Sequence, residues 1–132
     1  MATASVTLST LQQTIARAVE RFPRERGRIE RAATLIALGH VELIGETSAW
    51  VASQTGDGRR YLVTPGRCNC IDAQRHPGQS CKHQWAVDLV QVAEERQRRL
   101  DVRESEQARR AEVTADSVAL AYARSIGFGR AA

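Results

Sequence analysis

The chain has 132 residues, the size of one domain, so it can bury a single core and has no room for a second. Its 19 basic residues, all arginine except Lys82, face 15 acids, and the formal charge of +4 is milder than a dedicated nucleic-acid coat protein carries. No run approaches the roughly 18 consecutive apolar residues of a membrane span, and the N-terminal stretch has neither the basic start nor the apolar run of a targeting segment, so a cytoplasmic protein is expected. Three cysteines, an odd number confined to Cys68, Cys70 and Cys81, argue against a secreted disulfide framework.

Leu8, Leu11, Ile15, Val19 and Phe22 recur at spacings of three and four, which predicts an amphipathic helix, with Ser9 and Gln12 as its capping box. Phe22-Pro23 breaks the pattern. It resumes from Arg24 to Leu38 with Ile29, Ala32, Ala33, Ile36 and Ala37, and Gly39 supplies a stop. Residues 1–38 are thus read as an N-terminal helical segment. Between Arg17 and Arg31 six arginines face three glutamates, a pattern that a solvated helix face explains.

From His40 the period changes to two, in Val41-Glu42-Leu43-Ile44, Ala49-Trp50-Val51-Ala52-Ser53 and Arg60-Tyr61-Leu62-Val63-Thr64. Three antiparallel strands are expected, the second and third joined by the glycine-bearing turn Thr55-Gly56-Asp57-Gly58. Pro65-Gly66 then turns the chain into the first cysteines. Beyond His83 a helix is expected from Gln84 to Ala93, with Trp85, Leu89 and Val92 packed on the hairpin and Trp50 also in the core. Glu94 to Glu112 holds twelve charged residues, six of each sign, with Glu94/Arg98, Glu95/Arg99 and Glu106/Arg110 at the favourable i, i+4 order. This reads as a long charged helix, followed by a separate short amphipathic helix from an Asp116 cap through Val118, Tyr122 and Ile126 to Gly127-Phe128-Gly129-Arg130. The expected class is therefore α+β. A small three-stranded sheet within residues 39–93 carries a metal-pinned strand–loop–helix, with helices at 1–38 and 94–132.

The chemistry lies in sixteen positions. Cys68-Asn69-Cys70, a ten-residue loop, and Cys81-Lys82-His83 offer three thiolates and an imidazole in two tight pairs, a donor set that suits tetrahedral zinc. The first pair leaves a strand and the second leads into a helix, so an ion would pin one to the other and contribute to folding. The intervening residues, Ile71 to Ser80, read as a loop. Free buried cysteines and a Cys68–Cys70 disulfide are the bland alternatives, though neither explains a histidine so close after Cys81. His76 competes with His83 as fourth ligand, while His40 reads as an ordinary exposed histidine. Four protein ligands fill a tetrahedral site, whereas a catalytic zinc needs an open position. The chain offers no nucleophile–base pair and no phosphate-cradling loop that sequence can detect, so a non-enzyme with no small-molecule substrate is expected.

Trp50-Val51-Ala52-Ser53-Gln54, Tyr61-Leu62-Val63, Cys68-x-Cys70-x-Asp72 and Cys81-Lys82-His83-x-x-Ala86-Val87 together resemble the SWIM-type zinc finger, whose pattern is C-x-C, a variable loop, then C-x-H. The resemblance covers about residues 39 to 92 and leaves both ends uncovered. Ile71 stands where that family often has proline, a departure that touches no ligand. The resemblance implies one structural Zn2+ on Cys68, Cys70, Cys81 and His83, and a role in DNA binding or protein interaction.

Two partners remain open. For DNA, Arg59, Arg60, Arg67, Arg75 and Lys82 outnumber Asp57 and Asp72 around the site and suit backbone contacts without sequence preference. Three thiolates on Zn2+ leave a formal −1, however, so Lys82 or Arg67 equally serves to neutralise the cluster. For a protein partner, residues 94–132 supply helix that zinc binding does not need.

Overall fold

The computed structural model describes residues 5–127; residues 1–4 and the expected Phe128-Gly129-Arg130 end lie outside the described residues. Thr7, not Ser9, caps the first helix, α1 (Leu8–Arg21), its hydroxyl accepting from the Thr10 N–H at 3.2 Å. The face this helix buries is also rotated from the expected one. Thr10 and Thr14 are its buried side chains, Ile15, Ala18 and Val19 pack beside the core, and Leu8 is 69% exposed. Polar residues are tolerated there because each is satisfied. Thr10 Oγ1 donates to Gln97 Oε1 at 2.6 Å and Thr14 Oγ1 to the Thr10 carbonyl at 2.8 Å.

A 3-10 turn, Pro23–Glu25, leads into α2 (Arg26–Ala37), where Pro23 occupies a position whose N–H has no helical partner in any case. Ile29, Ala32 and Leu35 of α2 are completely buried, whereas Ala33 and Ile36 are half-buried and Ala37 is exposed. The helix ends as the sequence suggests. His40 N–H donates to the Leu35 carbonyl and Gly39 N–H to the Ile36 carbonyl, both at 3.0 Å, with Gly39 at φ +72°, where a side chain would be strained. His40 itself is half-buried rather than exposed, and its Nδ1 is buried without a hydrogen-bond partner.

The antiparallel sheet runs in chain order: β1 (Val41–Leu43), β2 (Ala49–Ala52), β3 (Arg60–Thr64) and β4 (Arg67–Cys68). It has one strand more than expected, because the Pro65-Gly66 turn, with Gly66 at φ +71°, is tight enough to pair Arg67 with Thr64 and Cys68 with Val63. Ala49, Val51 and Val63 are buried on the inner face, with Val41, Leu43 and Cys68 beside them. Trp50 is not among them. Strand alternation turns it to the outer face opposite Leu62, while its neighbours Ala49 and Val51 are fully buried.

After β4 comes α3 (Ile71–Arg75), where a loop is expected, and then α4 (Lys82–Ser125), 44 residues in one piece. Neither glycine nor proline interrupts α4, so Asp116 sits inside the helix instead of capping a new one. The start of α4 covers the inner sheet face with Ala86, Val87 and Leu89, and Ala93 is buried one turn later. Trp85 packs half-buried against that core, its ring edge-on to Phe22 at 5.3 Å, but Val92 is 55% exposed. Fully burying side chains such as Ile29, Leu35 and Val51 contributes about 1.5–3 kcal/mol each.

The chain divides into two compact units, Met1–Gln97 and Arg98–Ala132. In the second, Val102, Val113, Val118, Leu120, Tyr122 and Ile126 are all exposed. No helix among the described residues is long and apolar enough to cross a membrane.

Candidate metal centre

Each ligand of the cysteine–histidine cluster is fixed by the backbone element that carries it. Cys68 ends β4, held in register by its pairing with Val63. Cys70 caps α3, its Sγ accepting from the Ala73 N–H at 3.4 Å. Cys81 precedes α4 and forms a reciprocal cap with Gln84. Its Sγ accepts from the Gln84 N–H at 3.5 Å, and its own N–H donates to Gln84 Oε1 at 2.8 Å. His83 follows in the first turn of α4. Two of the three sulfurs therefore sit at helix N-termini, where backbone N–H groups favour the thiolate form.

The four ligand atoms all lie within 4.8 Å of one another, and Cys70, Cys81 and His83 are at most 4% exposed. His83 Nδ1 is 3.8 Å from both Cys68 Sγ and Cys81 Sγ. Bonds of about 2.0–2.3 Å meeting at a tetrahedral angle put neighbouring ligand atoms roughly 3.6–3.8 Å apart. The spacing thus fits one ion, and these four residues are positioned to bind it. All three cysteines are free thiols, so no Cys68–Cys70 disulfide forms. His76 does not join the cluster. It is half exposed and its Nδ1 lies 3.0 Å from Asp72 Oδ1.

The three thiols sit in different electrostatic environments. The hydrogen bond from Cys68 pulls the Cys81 thiol down to about 4 against the cost of its burial, with His83 and the Gln84 N–H assisting. That same hydrogen bond, then burial, pushes Cys68 far up, and burial raises Cys70. Three thiolates this close repel one another, a repulsion that a bound cation would offset. On the far side of the ring, His83 Nε2 is buried without a hydrogen-bond partner, and the ring instead stacks on Tyr61 at 4.5 Å between centroids.

Arg28 of α2 clasps the loop between the two ligand pairs. Its guanidinium donates to Gln79 Oε1 at 2.9 Å, to Glu25 at 3.3 Å and to Asp72 Oδ1 at 3.4 Å. Burial alone would raise Asp72, but the Arg28 hydrogen bond and charge, with His76 behind them, hold its carboxyl below the usual range. A cleft of about 450 Å³ borders the cluster, with Arg28, Arg31, Asp72 and Lys82 on its walls beside Tyr61 and His83.

The five basic residues expected around the site fall on different elements. Lys82 lines the cleft and its Nζ donates to Gln54 at 3.3 Å, while Arg75 ends α3 on the surface. Arg59 is in the hairpin turn beside Asp57. Arg60 and Arg67 stand at opposite ends of the β3–β4 hairpin, on the outer face with Trp50. Sequence reading passed over Gln84, whose place three residues after Cys81 is itself a capping-box spacing, and Arg28, for which no local pattern exists. No protein family, curated protein or solved structure matches this chain.

Proposed function

We propose that the chain is a non-catalytic module in which Cys68, Cys70, Cys81 and His83 hold one structural Zn2+ in the manner of a SWIM-type finger, and that it associates with DNA as an accessory factor. The observation that supports it best is the closed set of four ligands. Three sulfurs and one imidazole nitrogen match zinc in softness and coordination number and leave no position for substrate. Bound there, the ion supplies a cross-link between β4, α3 and α4 and offsets two of the three thiolate charges. Arg59, Arg60 and Arg67 then contact phosphates without reading bases.

DNA titrations at two salt concentrations test this. Binding should weaken steeply with salt, and the triple variant Arg59→Gln/Arg60→Gln/Arg67→Gln should lose affinity evenly across sequences with a flatter salt dependence. Loss confined to one sequence would contradict backbone contacts.

A second reading, a protein adaptor, is favoured by the exposed Val118, Leu120, Tyr122 and Ile126 of the second unit. Truncation after Gln97 separates the two, since Ala93 and Gln97 are buried and belong with the first unit. DNA binding that survives this truncation counts against the adaptor.

A further inference from the structure

The outer face of the sheet carries a chemistry that the metal centre does not use. Trp50 and Leu62 face each other directly across β2 and β3, both half-buried and neither packed into the core. The Arg60 guanidinium lies 4.9 Å over the Trp50 ring, and its ion pair with Glu42 on the same face is long, at 3.9 Å, and well exposed. Arg67 is exposed on this face too, opposite Thr64, four residues along the strand from Arg60 and hence about 13 Å away.

A sheet face with an indole, a guanidinium over that indole and a second arginine further along is a platform for unpaired bases joined by an anionic backbone. Every base has a π-face that stacks on an aromatic or guanidinium plane without regard to sequence. The bases of a duplex are already stacked inside it and cannot reach such a plane. Stacking on Trp50 also pre-orients Arg60, so its N–H edges meet a phosphate at small entropic cost.

We propose that the outer sheet face binds single-stranded nucleic acid, with a base packing against the Trp50–Arg60 pair and Arg60 and Arg67 holding the backbone. The proposal rests on the nucleic-acid reading above and sharpens it, naming the face and the strand state.

The test uses the full chain loaded with zinc and carrying Trp85→Phe, which leaves Trp50 as the one tryptophan of the two in the sequence. A 15-nucleotide dT oligonucleotide and a duplex of equal length are titrated at the same salt. The single strand should quench Trp50 emission and bind about tenfold or more tightly than the duplex. Without Trp85→Phe, Trp50→Ala and Arg60→Gln should each weaken single-strand binding about tenfold with metal content unchanged. Arg67→Gln should reduce the salt slope by about 0.7, and Arg26→Gln, on α2, should change affinity less than twofold. Equal or tighter binding of duplex overturns the choice of strand. Nucleic-acid binding that ignores both Trp50→Ala and Arg60→Gln overturns the face while leaving the DNA reading standing. Failure to bind either probe removes the DNA reading itself, and this inference with it.

Discussion

The two stretches of α4 make an instructive contrast. Up to Gln97 the helix buries His83, Gln84, Ala86, Val87, Leu89, Ala93 and Gln97. From Arg98 to Tyr122 every side chain is exposed. The first stretch is helical because sheet, α1 and ligand cluster all require it there. The second relies on intrinsic propensity, and on alanines and straight-chain charged residues with i, i+4 charge pairs. Substitutions should therefore cost much in one stretch and little in the other.

Loss of the ion should have the largest effect. A structural zinc site contributes on the order of 10–16 kcal/mol, comparable with or above the whole stability of a domain, about 5–15 kcal/mol. Cys81→Ser or a strong chelator should abolish cooperative melting of the first unit while part of the far-UV helical signal from the second persists. Unchanged melting would refute a structural role. The pH dependence follows from the ligands. Zinc binding displaces protons from the thiols, so occupancy is complete at neutral pH and is lost as pH falls, which zinc release to a colorimetric dye would follow.

Next come the core positions. Leu35→Ala, at a completely buried site, should cost about 2–5 kcal/mol by denaturant melting, against less than about 0.5 kcal/mol for Leu120→Ala, 58% exposed. Equal costs would erase the contrast. Arg28→Ala removes three hydrogen bonds to Glu25, Asp72 and Gln79. It should cost about 1–3 kcal/mol and speed zinc loss to a chelator, while Arg28→Lys, which lacks the planar fork, should restore only part. In the second unit Ala115→Gly should cost about 0.5–1 kcal/mol of local helicity by far-UV circular dichroism, with the melting of the first unit untouched.

The cysteine–histidine cluster was legible because spacing and donor chemistry are local: C-x-C and C-x-H need no knowledge of the fold. Strand positions in β1 to β3 and the Gly39 stop were legible for the same reason. What the sequence concealed depends on contacts between distant residues. Thr10 and Thr14 look like surface residues until Gln97, 87 positions away, accepts from the Thr10 hydroxyl and the Thr10 carbonyl accepts from Thr14. Trp50 looks like core because it is aromatic, yet only strand parity decides its face, and its small neighbours Ala49 and Val51 take the interior. α3 escaped notice because its cap is the Cys70 sulfur, a residue type not counted among N-caps. The unbroken α4 was missed because Asp116 resembles a cap, and in a helix with no glycine or proline nearby a cap-type residue alone starts nothing.

The central claim is that Cys68, Cys70, Cys81 and His83 hold one structural zinc, and native mass spectrometry of the intact chain with and without chelator tests it most directly. One Zn2+ per chain is expected, lost only together with the compact charge-state distribution of the folded first unit. A metal-free mass with that distribution unchanged, or zinc retained by Cys81→Ser/His83→Ala, would contradict it.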